Sequence, residues 1–340
     1  MLAPQTAPQP LKLGAGHLVR TAGMAADALL GSRGCLFTFH RVASSAAWET
    51  LPNRDFYIDL TFLDQLLAYL IRSGWQIVTI EEALARAARG HAGGRYVNFS
   101  VDDCYRDTFE EIVPLFRRHN VPVTLFVTTG IPDGTMPMWC TGLEDTLLTR
   151  DRIVVDDAIV EVGTLQDKRD AYARIAAAWD GPDAGKHYAL FCQQNGIDAA
   201  AVHRKHAISW DMLDALRQDP IVEIGSHTVS HARISSLSPQ DAFAELHGSR
   251  ERLKEKLGVA ARHFAFPYGR SGDCSQRDFD VARQAGYASA ATTRKGVIRT
   301  GQDAFSLPRN TLNGAHRNLT MIELHLTGAT GAAAKVLGRV

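Results

Sequence analysis

The segment Tyr96-Val-Asn-Phe-Ser-Val-Asp-Asp103 joins an apolar run to two adjacent carboxylates. Its valines and aromatic residues are typical of a buried strand, and the aspartates follow where that strand ends. A second apolar run, Ile221-Val-Glu-Ile-Gly225, is followed by His227-Thr-Val-Ser-His231. Two carboxylates and two imidazoles at the carboxyl ends of two strands can converge on one metal ion and leave one carboxylate free. Nitrogen and oxygen ligands with an open position are typical of a hydrolytic zinc site.

Runs typical of strands and of helices alternate along the chain after about residue 32. The β-rich runs predict strands at 35–40, 76–80, 96–101, 122–128, 221–225, 263–266 and 287–293. Apolar spacing and capping residues predict helices at 61–72, 79–89, 108–120, 209–219, 238–257 and 278–285. Pro114 predicts either a kink or a late start in the third helix. The repeated βα units predict an α/β fold with a parallel sheet, and their number favours a (β/α) barrel over an open sheet.

Two segments stand outside this alternation. Residues 1–31 predict an N-terminal helical extension to a barrel that occupies residues 32–340. Residues 131–208 contain several prolines and glycines and indicate an insertion. Because this insertion follows the carboxyl end of a strand, we expect it on the active-site face of the barrel, as a lid or a substrate wall.

Composition excludes several classes of function. The 340 residues carry a formal net charge of +0, which gives no general attraction to nucleic acid. The five cysteines are odd in number and lack CxxC spacing, so neither a disulfide framework nor a cysteine zinc site is expected. No export signal and no apolar run of about 20 residues is evident, which favours a cytoplasmic protein without a transmembrane segment.

Each polar motif also has an ordinary structural interpretation. His227 and His231 are spaced i, i+4, which on one helical turn puts both rings on one face, but a capped loop is an equally good interpretation. Asp102 and Asp103 are compatible with an acidic helix N-terminus. However, adjacent carboxylates at the end of an apolar strand cost stability unless a cation or hydrogen bonds offset them. Taken together, the two motifs favour a metal site.

Three motifs resemble those of a known family. Phe99-Ser-Val-Asp-Asp103, the His227–His231 segment and Phe264-Ala-Phe-Pro-Tyr-Gly269 are similar to the leading motifs of the polysaccharide deacetylases with the NodB-homology fold, carbohydrate esterase family four. The resemblance covers residues 34–313. It implies a distorted (β/α) barrel, a divalent metal that is usually zinc, and the removal of acyl groups from amino sugars, most often acetyl from N-acetylglucosamine.

The resemblance also implies a role for individual residues. Asp103, His227 and His231 would hold the metal, which leaves Asp102 as the general base. Pro267 would contact the substrate and place the backbone N–H of Tyr268 where the oxyanion forms.

The chain departs from the family pattern at the partner of the base. The third motif usually begins with an arginine that orients the catalytic base, and Ala265 occupies that position here. Another cation must therefore orient Asp102, and Arg309 and Arg270 are the candidates.

The general acid is the second departure. The segment Glu323-Leu-His-Leu-Thr-Gly328, where the family usually has a strand with its acid, has a helical pattern, which leaves His325 on a helix. Phe37-Thr-Phe-His40-Arg-Val resembles the early histidine motif of the branch that acts on poly-N-acetylglucosamine. Since His40 ends a strand, we favour it over His325 and His316 as the acid.

The substrate is expected to be an N-acetylated saccharide: a chitooligosaccharide, poly-N-acetylglucosamine, another exopolysaccharide or a lipid-linked precursor at a membrane surface. Trp139 in the insertion is a candidate for stacking on a sugar ring, although tryptophans such as Trp139 and Trp179 more often anchor a segment to its core. Two alternative functions stay open: an amidase or esterase acting on another acyl group, and a saccharide-binding protein without catalysis.

Overall fold

The computed structural model describes residues 34–90, 94–314 and 317–336. The predicted N-terminal extension and His316 lie outside the described residues. The strands are β1 (Gly34–Phe39), β2 (Arg41–Ala43), β3 (Tyr57–Asp59), β4 (Gln76–Ile77), β5 (Tyr96–Asp103), β6 (Val123–Val127), β7 (Arg152–Val155), β8 (Ala158–Glu161), β9 (Val222–Ser226), β10 (His263–Ala265), β11 (Ser289–Ala291) and β12 (Asn310–Thr311).

Helices alternate with the strands along most of the chain. They are α1 (Ser45–Thr50), α2 (Leu60–Arg72), α3 (Ile80–Ala88), α4 (Val113–His119), α5 (Gly130–Asp133), α6 (Trp139–Thr149), α7 (Leu165–Ala178), α8 (Ala184–Asn195), α9 (Ala199–His206), α10 (Trp210–Arg217), α11 (Pro239–Leu257), α12 (Gln276–Gln284), α13 (Leu319–Leu326) and α14 (Ala329–Val336). A π-helical turn, Thr108–Ile112, precedes α4, in which Pro114 lies in the first turn. Pro114 therefore marks a late start of the regular α-helix.

A parallel sheet forms the centre of the fold, in the order β11-β10-β9-β6-β5-β1-β12, with β4 paired to the beginning of β5. The two ends of this sheet approach each other through Leu307. Its N–H donates to the carbonyl of Ala290, and its carbonyl accepts from the N–H of Thr292, while β12 pairs with β1 three residues further on. The predicted (β/α) barrel is confirmed, with Leu307 closing it where a full strand is lacking.

The predicted elements agree with the structure except at their edges. The strand predicted at 76–80 is only two residues long, because Thr79 instead caps α3 by accepting a hydrogen bond from the N–H of Glu82. At the start of α11, Ser238 caps the helix and Pro239 takes its first position, and Gly258 ends it with φ of 68°.

The segment 131–208 folds into five helical elements and the antiparallel hairpin β7–β8. Helices α6, α7 and α8 pack around a hydrophobic core of their own, separate from the barrel core. It contains Leu143, Leu147, Ile153, Val162, Ala171, Tyr172, Ile175, Trp179, Tyr188, Phe191 and Cys192. The segment follows β6, so it begins at the carboxyl ends of the barrel strands.

None of the described helices combines the length and apolarity that crossing a bilayer requires.

Candidate active site

Asp102 and Asp103 end β5 and are both buried. The backbone turns sharply after them: Asp103 and Cys104 have φ of 68° and 67°, and the N–H of Cys104 donates to the carbonyl of Asp102. Positive φ is unusual for residues other than glycine, so this turn is held by its surroundings. The turn directs two consecutive carboxylates into the same end of the barrel.

Arg309 is fully buried and forms a bidentate ion pair with Asp102. Its Nη1 lies 2.6 Å from Oδ1 of Asp102 and its Nη2 2.8 Å from Oδ2. The same guanidinium donates to the hydroxyls of Thr38 and Ser100, which come from β1 and β5, and its Nε donates to the carbonyl of Thr292. Burial alone would raise the pKa of Asp102, but the charge and hydrogen bonds of Arg309 hold it well below its usual range.

This pair supplies the cation that is missing at Ala265. Arg309 was one of two candidates in the sequence, and Arg270, the other, is exposed and forms no ion pair among the described residues. Arg309 reaches Asp102 because it follows Leu307, which closes the barrel, and its side chain enters the barrel interior. Asp102 is therefore kept ionised and oriented without an arginine in the third motif.

Asp103, His227 and His231 converge beside this pair. Oδ1 of Asp103 lies 3.6 Å from Nε2 of His227 and 3.4 Å from Nε2 of His231. Within the described part of the chain, these three are the one group of at least three His, Cys, Asp or Glu whose ligand atoms all lie within 4.8 Å of one another. Bonds of about 2.0–2.2 Å to a tetrahedral zinc separate two ligand atoms by about 3.3–3.6 Å, so the three side chains fit such an ion.

The protonation state of His227 is also the one that a metal ligand requires. Its Nδ1 lies 2.7 Å from the carbonyl oxygen of Ala265, to which it donates, and this leaves Nε2 as the unprotonated atom facing Asp103. Burial lowers the pKa of His227 to about 4, against the opposing effect of Asp102 and Asp103. The imidazole is therefore neutral near pH 7, the form that binds a metal.

Of the two interpretations of the spacing of His227 and His231, the helical turn is wrong and the loop is the one observed. The five residues from His227 to His231 form an irregular loop after β9, in which Thr228 and His231 have φ of 70° and 59°. The rings nevertheless lie 5.2 Å apart between centroids. The two imidazoles are therefore brought together by a loop with two left-handed residues, and not by the periodicity of a helix.

Pro267, Tyr268 and Gly269 form a tight turn after β10. Tyr268 has φ of 61°, the N–H of Gly269 donates to the carbonyl of Pro267, and a Cβ on Gly269 would lie 2.8 Å from the nitrogen of Thr293. The N–H of Tyr268 donates to no acceptor among the described residues. The ring of Tyr268 lies 5.1 Å from that of His231, so the turn borders the cluster of possible metal ligands.

Arg233 was missed in the sequence. Its guanidinium carbon lies 4.1 Å from the centroid of the Tyr268 ring, and its nitrogens pair with Asp273 beside that turn and with Asp180 from the insertion. Arg233, two residues after His231, therefore connects the end of the loop that carries the histidines with the Tyr268 turn and the insertion. Its partners lie 40 and 53 residues away, so no local pattern pointed to it.

His40 follows β1, and its ring lies 4.7 Å from that of Phe56. It is near enough to Asp102 that its charge contributes to the low pKa of that carboxyl. His325 lies in α13, where Nδ1 contacts Asn310 and Thr330 and the ring packs on Phe37. Since Phe37 and Thr38 point to opposite faces of β1, His325 lies outside the barrel, away from Arg309.

The surroundings of Trp139 and Cys104 bear on the roles considered for them. Trp139 packs edge-on against Trp179 with ring centroids 5.9 Å apart and borders the insertion core, so stacking on a sugar remains a prediction. Cys104 is buried, and burial together with the neighbouring aspartates raises its pKa well above the usual value. Its thiol is therefore protonated and unsuited to act as a nucleophile.

The carboxylates and histidines lie at the carboxyl ends of parallel barrel strands, where (β/α)-barrel enzymes carry their active sites. The model of the polysaccharide deacetylase family matches residues 89–290, which is more than half of the chain. The chain belongs to the polysaccharide deacetylase family.

Relatives of known structure share the fold at low sequence identity. The deacetylase PplD of Streptococcus pyogenes, solved with acetate, has a TM-score of 0.57 and 16% identity, over 86% of this chain and 97% of PplD. IcaB of Ammonifex degensii has a TM-score of 0.56 and 18% identity, over 88% and 98%. The protein YxkH of Bacillus subtilis (strain 168), also named as a polysaccharide deacetylase, is 24% identical over 109 residues; the match spans 32% of this chain and only 38% of YxkH.

Proposed function

We propose that this protein is a metal-dependent hydrolase that removes N-acetyl groups from a saccharide containing N-acetylglucosamine. The observation that carries the proposal is the pairing of two adjacent aspartates with different partners. Asp102 is bound by Arg309 at 2.6 and 2.8 Å, whereas Asp103 faces His227 and His231 at 3.6 and 3.4 Å. One carboxylate is thus available as a base and the other as a ligand.

Asp103, His227 and His231 would hold the metal. A divalent ion bound there would act as a Lewis acid on the acyl oxygen and lower the pKa of a water molecule. Asp102 is ionised and fixed by Arg309, so it accepts the proton of the attacking water. The N–H of Tyr268, which has no acceptor among the described residues, donates to the developing oxyanion. His40 then donates a proton to the leaving amine.

Metal removal tests this proposal. Protein dialysed against a chelator should release acetate from N-acetylglucosamine oligomers at least about 100-fold more slowly than the metal-loaded protein. The reason is that Lewis-acid stabilisation of several kcal/mol is lost. Adding back zinc, cobalt or nickel ions should restore the rate. The measurement is acetate release, with bound metal determined by elemental analysis of the same samples.

Asp103→Asn provides the matched variant. It should lose both bound metal and acetate release, and metal added back should not restore the rate. If the wild type binds metal and the oligomers but releases no acetate, the protein acts on another acyl group or only binds saccharide. An acetate release that survives complete metal removal would contradict the proposed metal dependence.

Replacing Arg233 tests whether the position of Tyr268 matters for catalysis. Arg233→Leu should lower kcat about tenfold with unchanged metal content, because a cation–π contact of about 1–2 kcal/mol no longer holds the turn. Arg262→Leu, an exposed arginine just before β10 at the opposite end of the barrel, is the control and should keep the wild-type kcat. A lower melting temperature with normal kcat would assign Arg233 a purely structural function.

A further inference from the structure

The loop that carries the two histidines is strained, and its conformation is imposed by its neighbours. Thr228 and His231 both have left-handed φ, which costs about 1–3 kcal/mol for each residue that is not glycine. Thr228 is β-branched, so the conformation is especially unfavourable for it. Within the loop, the N–H of His231 donates to Oγ1 of Thr228 at 2.9 Å, and hydrogen bonds from neighbouring segments offset the rest of this cost.

One side of the loop is held through its carbonyls. The N–H of Thr129 donates to the carbonyl of Thr228, and the N–H of Gly130 donates to that of Val229 at 2.8 Å. A Cβ on Gly130 would lie 2.5 Å from the carbonyl oxygen of Val229, so only glycine allows this approach.

The other side is held by one carboxylate, that of Glu245 in α11. Its Oε2 accepts from the N–H groups of both Val229 and Ser230 at 2.9 Å, and its Oε1 accepts from the hydroxyl of Ser230 at 2.7 Å. These two residues lie between the histidines. Glu245 thereby satisfies the amides of a loop that lacks partners of regular secondary structure.

Helix α11 contacts the chain on both sides of His227. One turn after Glu245, Ser249 forms a 2.6 Å hydrogen bond with Ser226, the last residue of β9. The helix therefore fixes the residue before the first histidine through Ser249 and the residues after it through Glu245. Glu245 is not one of the three residues that would bind the metal, so it can act only through the geometry or charge around them.

We propose that Glu245 is a positioning residue that sets the metal affinity of the site by holding the loop between His227 and His231. This inference rests on the proposed metal site. Residues that orient ligands from outside typically change metal affinity about 10–100-fold when replaced. The competing explanation is electrostatic: a carboxylate near a cation raises its affinity regardless of hydrogen bonds.

Two conservative substitutions separate these explanations. Glu245→Gln removes the charge, but its amide oxygen still accepts from both N–H groups and its amide nitrogen can donate to the hydroxyl of Ser230. Glu245→Asp keeps the charge but is one methylene too short to reach both N–H groups. Positioning predicts near-normal affinity for Glu245→Gln and weak binding for Glu245→Asp, whereas electrostatics predicts the reverse.

The experiment measures the affinity of the full chain for zinc ions by competition with a chromophoric chelator, without substrate. We expect Glu245→Asp to bind zinc about 10–100-fold more weakly and Glu245→Gln to stay within about threefold of the wild type. Glu251→Asp, six residues further along α11 and without a bond to the loop, is the matched control and should be unchanged. Thermal unfolding of the metal-free variants checks that all of them fold.

The outcomes distinguish this inference from the proposed function. Equal zinc affinity of Glu245→Asp and wild type, or a larger loss in Glu245→Gln, would overturn the inference even if the wild type deacetylates its substrate. The expected affinities in a protein that releases no acetate would support the inference and refute the proposed substrate. A wild type that binds no divalent metal would overturn both.

Discussion

Replacing Arg309 by leucine should lower the free energy of unfolding by about 3–5 kcal/mol and abolish most of the acetate release, because it leaves Asp102 as a buried carboxylate without its cation. Arg309 is fully buried and makes two short bonds to Asp102, so water cannot compensate for its loss. The measurement is denaturant unfolding at pH 7, with kcat determined on the folded fraction.

The pH dependence of this effect has a definite sign. The pKa of Asp102 is lower in the folded protein than in the unfolded chain, so the pair stabilises the wild type above about pH 4, and this stability is lost as the pH falls further. In Arg309→Leu, burial without a cation raises the pKa of Asp102, and the carboxyl becomes protonated and neutral more readily. The difference in stability between wild type and variant should therefore shrink on acidification.

Arg270→Leu is the control for this substitution. Arg270 was the second candidate partner of Asp102, but it is exposed and has no ion pair among the described residues. Its replacement should change stability by no more than about 0.5 kcal/mol. Similar losses in both variants would contradict the assignment of Arg309 as the partner of Asp102.

The sequence was sufficient to predict those parts of the fold that short-range residue patterns specify. A strand such as β5 is specified by its own residues, and the aspartates that follow it necessarily reach the carboxyl end of the sheet. The same reasoning predicted the barrel, because each βα unit is defined by short-range patterns. These parts of the fold depend little on which distant segments meet.

The partners of the site residues depend on contacts between segments that are far apart in the sequence. Arg309 lies 207 residues from Asp102, and choosing it over Arg270 required knowing that the segment after Leu307 closes the barrel. The spacing of His227 and His231 was compatible with a helical turn or a loop, and the hydrogen bonds of Thr129, Gly130 and Glu245 stabilise the loop. Left-handed residues stabilised by tertiary contacts leave no reliable pattern in a sequence.

His40→Ala should lower kcat about 100- to 10,000-fold while bound metal stays at the wild-type level, because general acid catalysis is removed and the metal ligands are untouched. The parallel register pairs Phe39 of β1 with Val101 of β5, which brings His40 level with Asp102 at the rim of the barrel. Arg41, the next residue, is fixed by Asp107 and Tyr57, so the backbone beside His40 is well anchored.

The control is His325→Ala, at the histidine that lies outside the barrel. Because His325 is buried against Phe37, its replacement should reduce stability and leave kcat per folded molecule unchanged. If kcat were near normal in His40→Ala and low in His325→Ala, the proton would reach the amine from the helical side of β1, which requires a path through the barrel wall. The opposite orientation of Phe37 and Thr38 on β1 argues against such a path and in favour of His40.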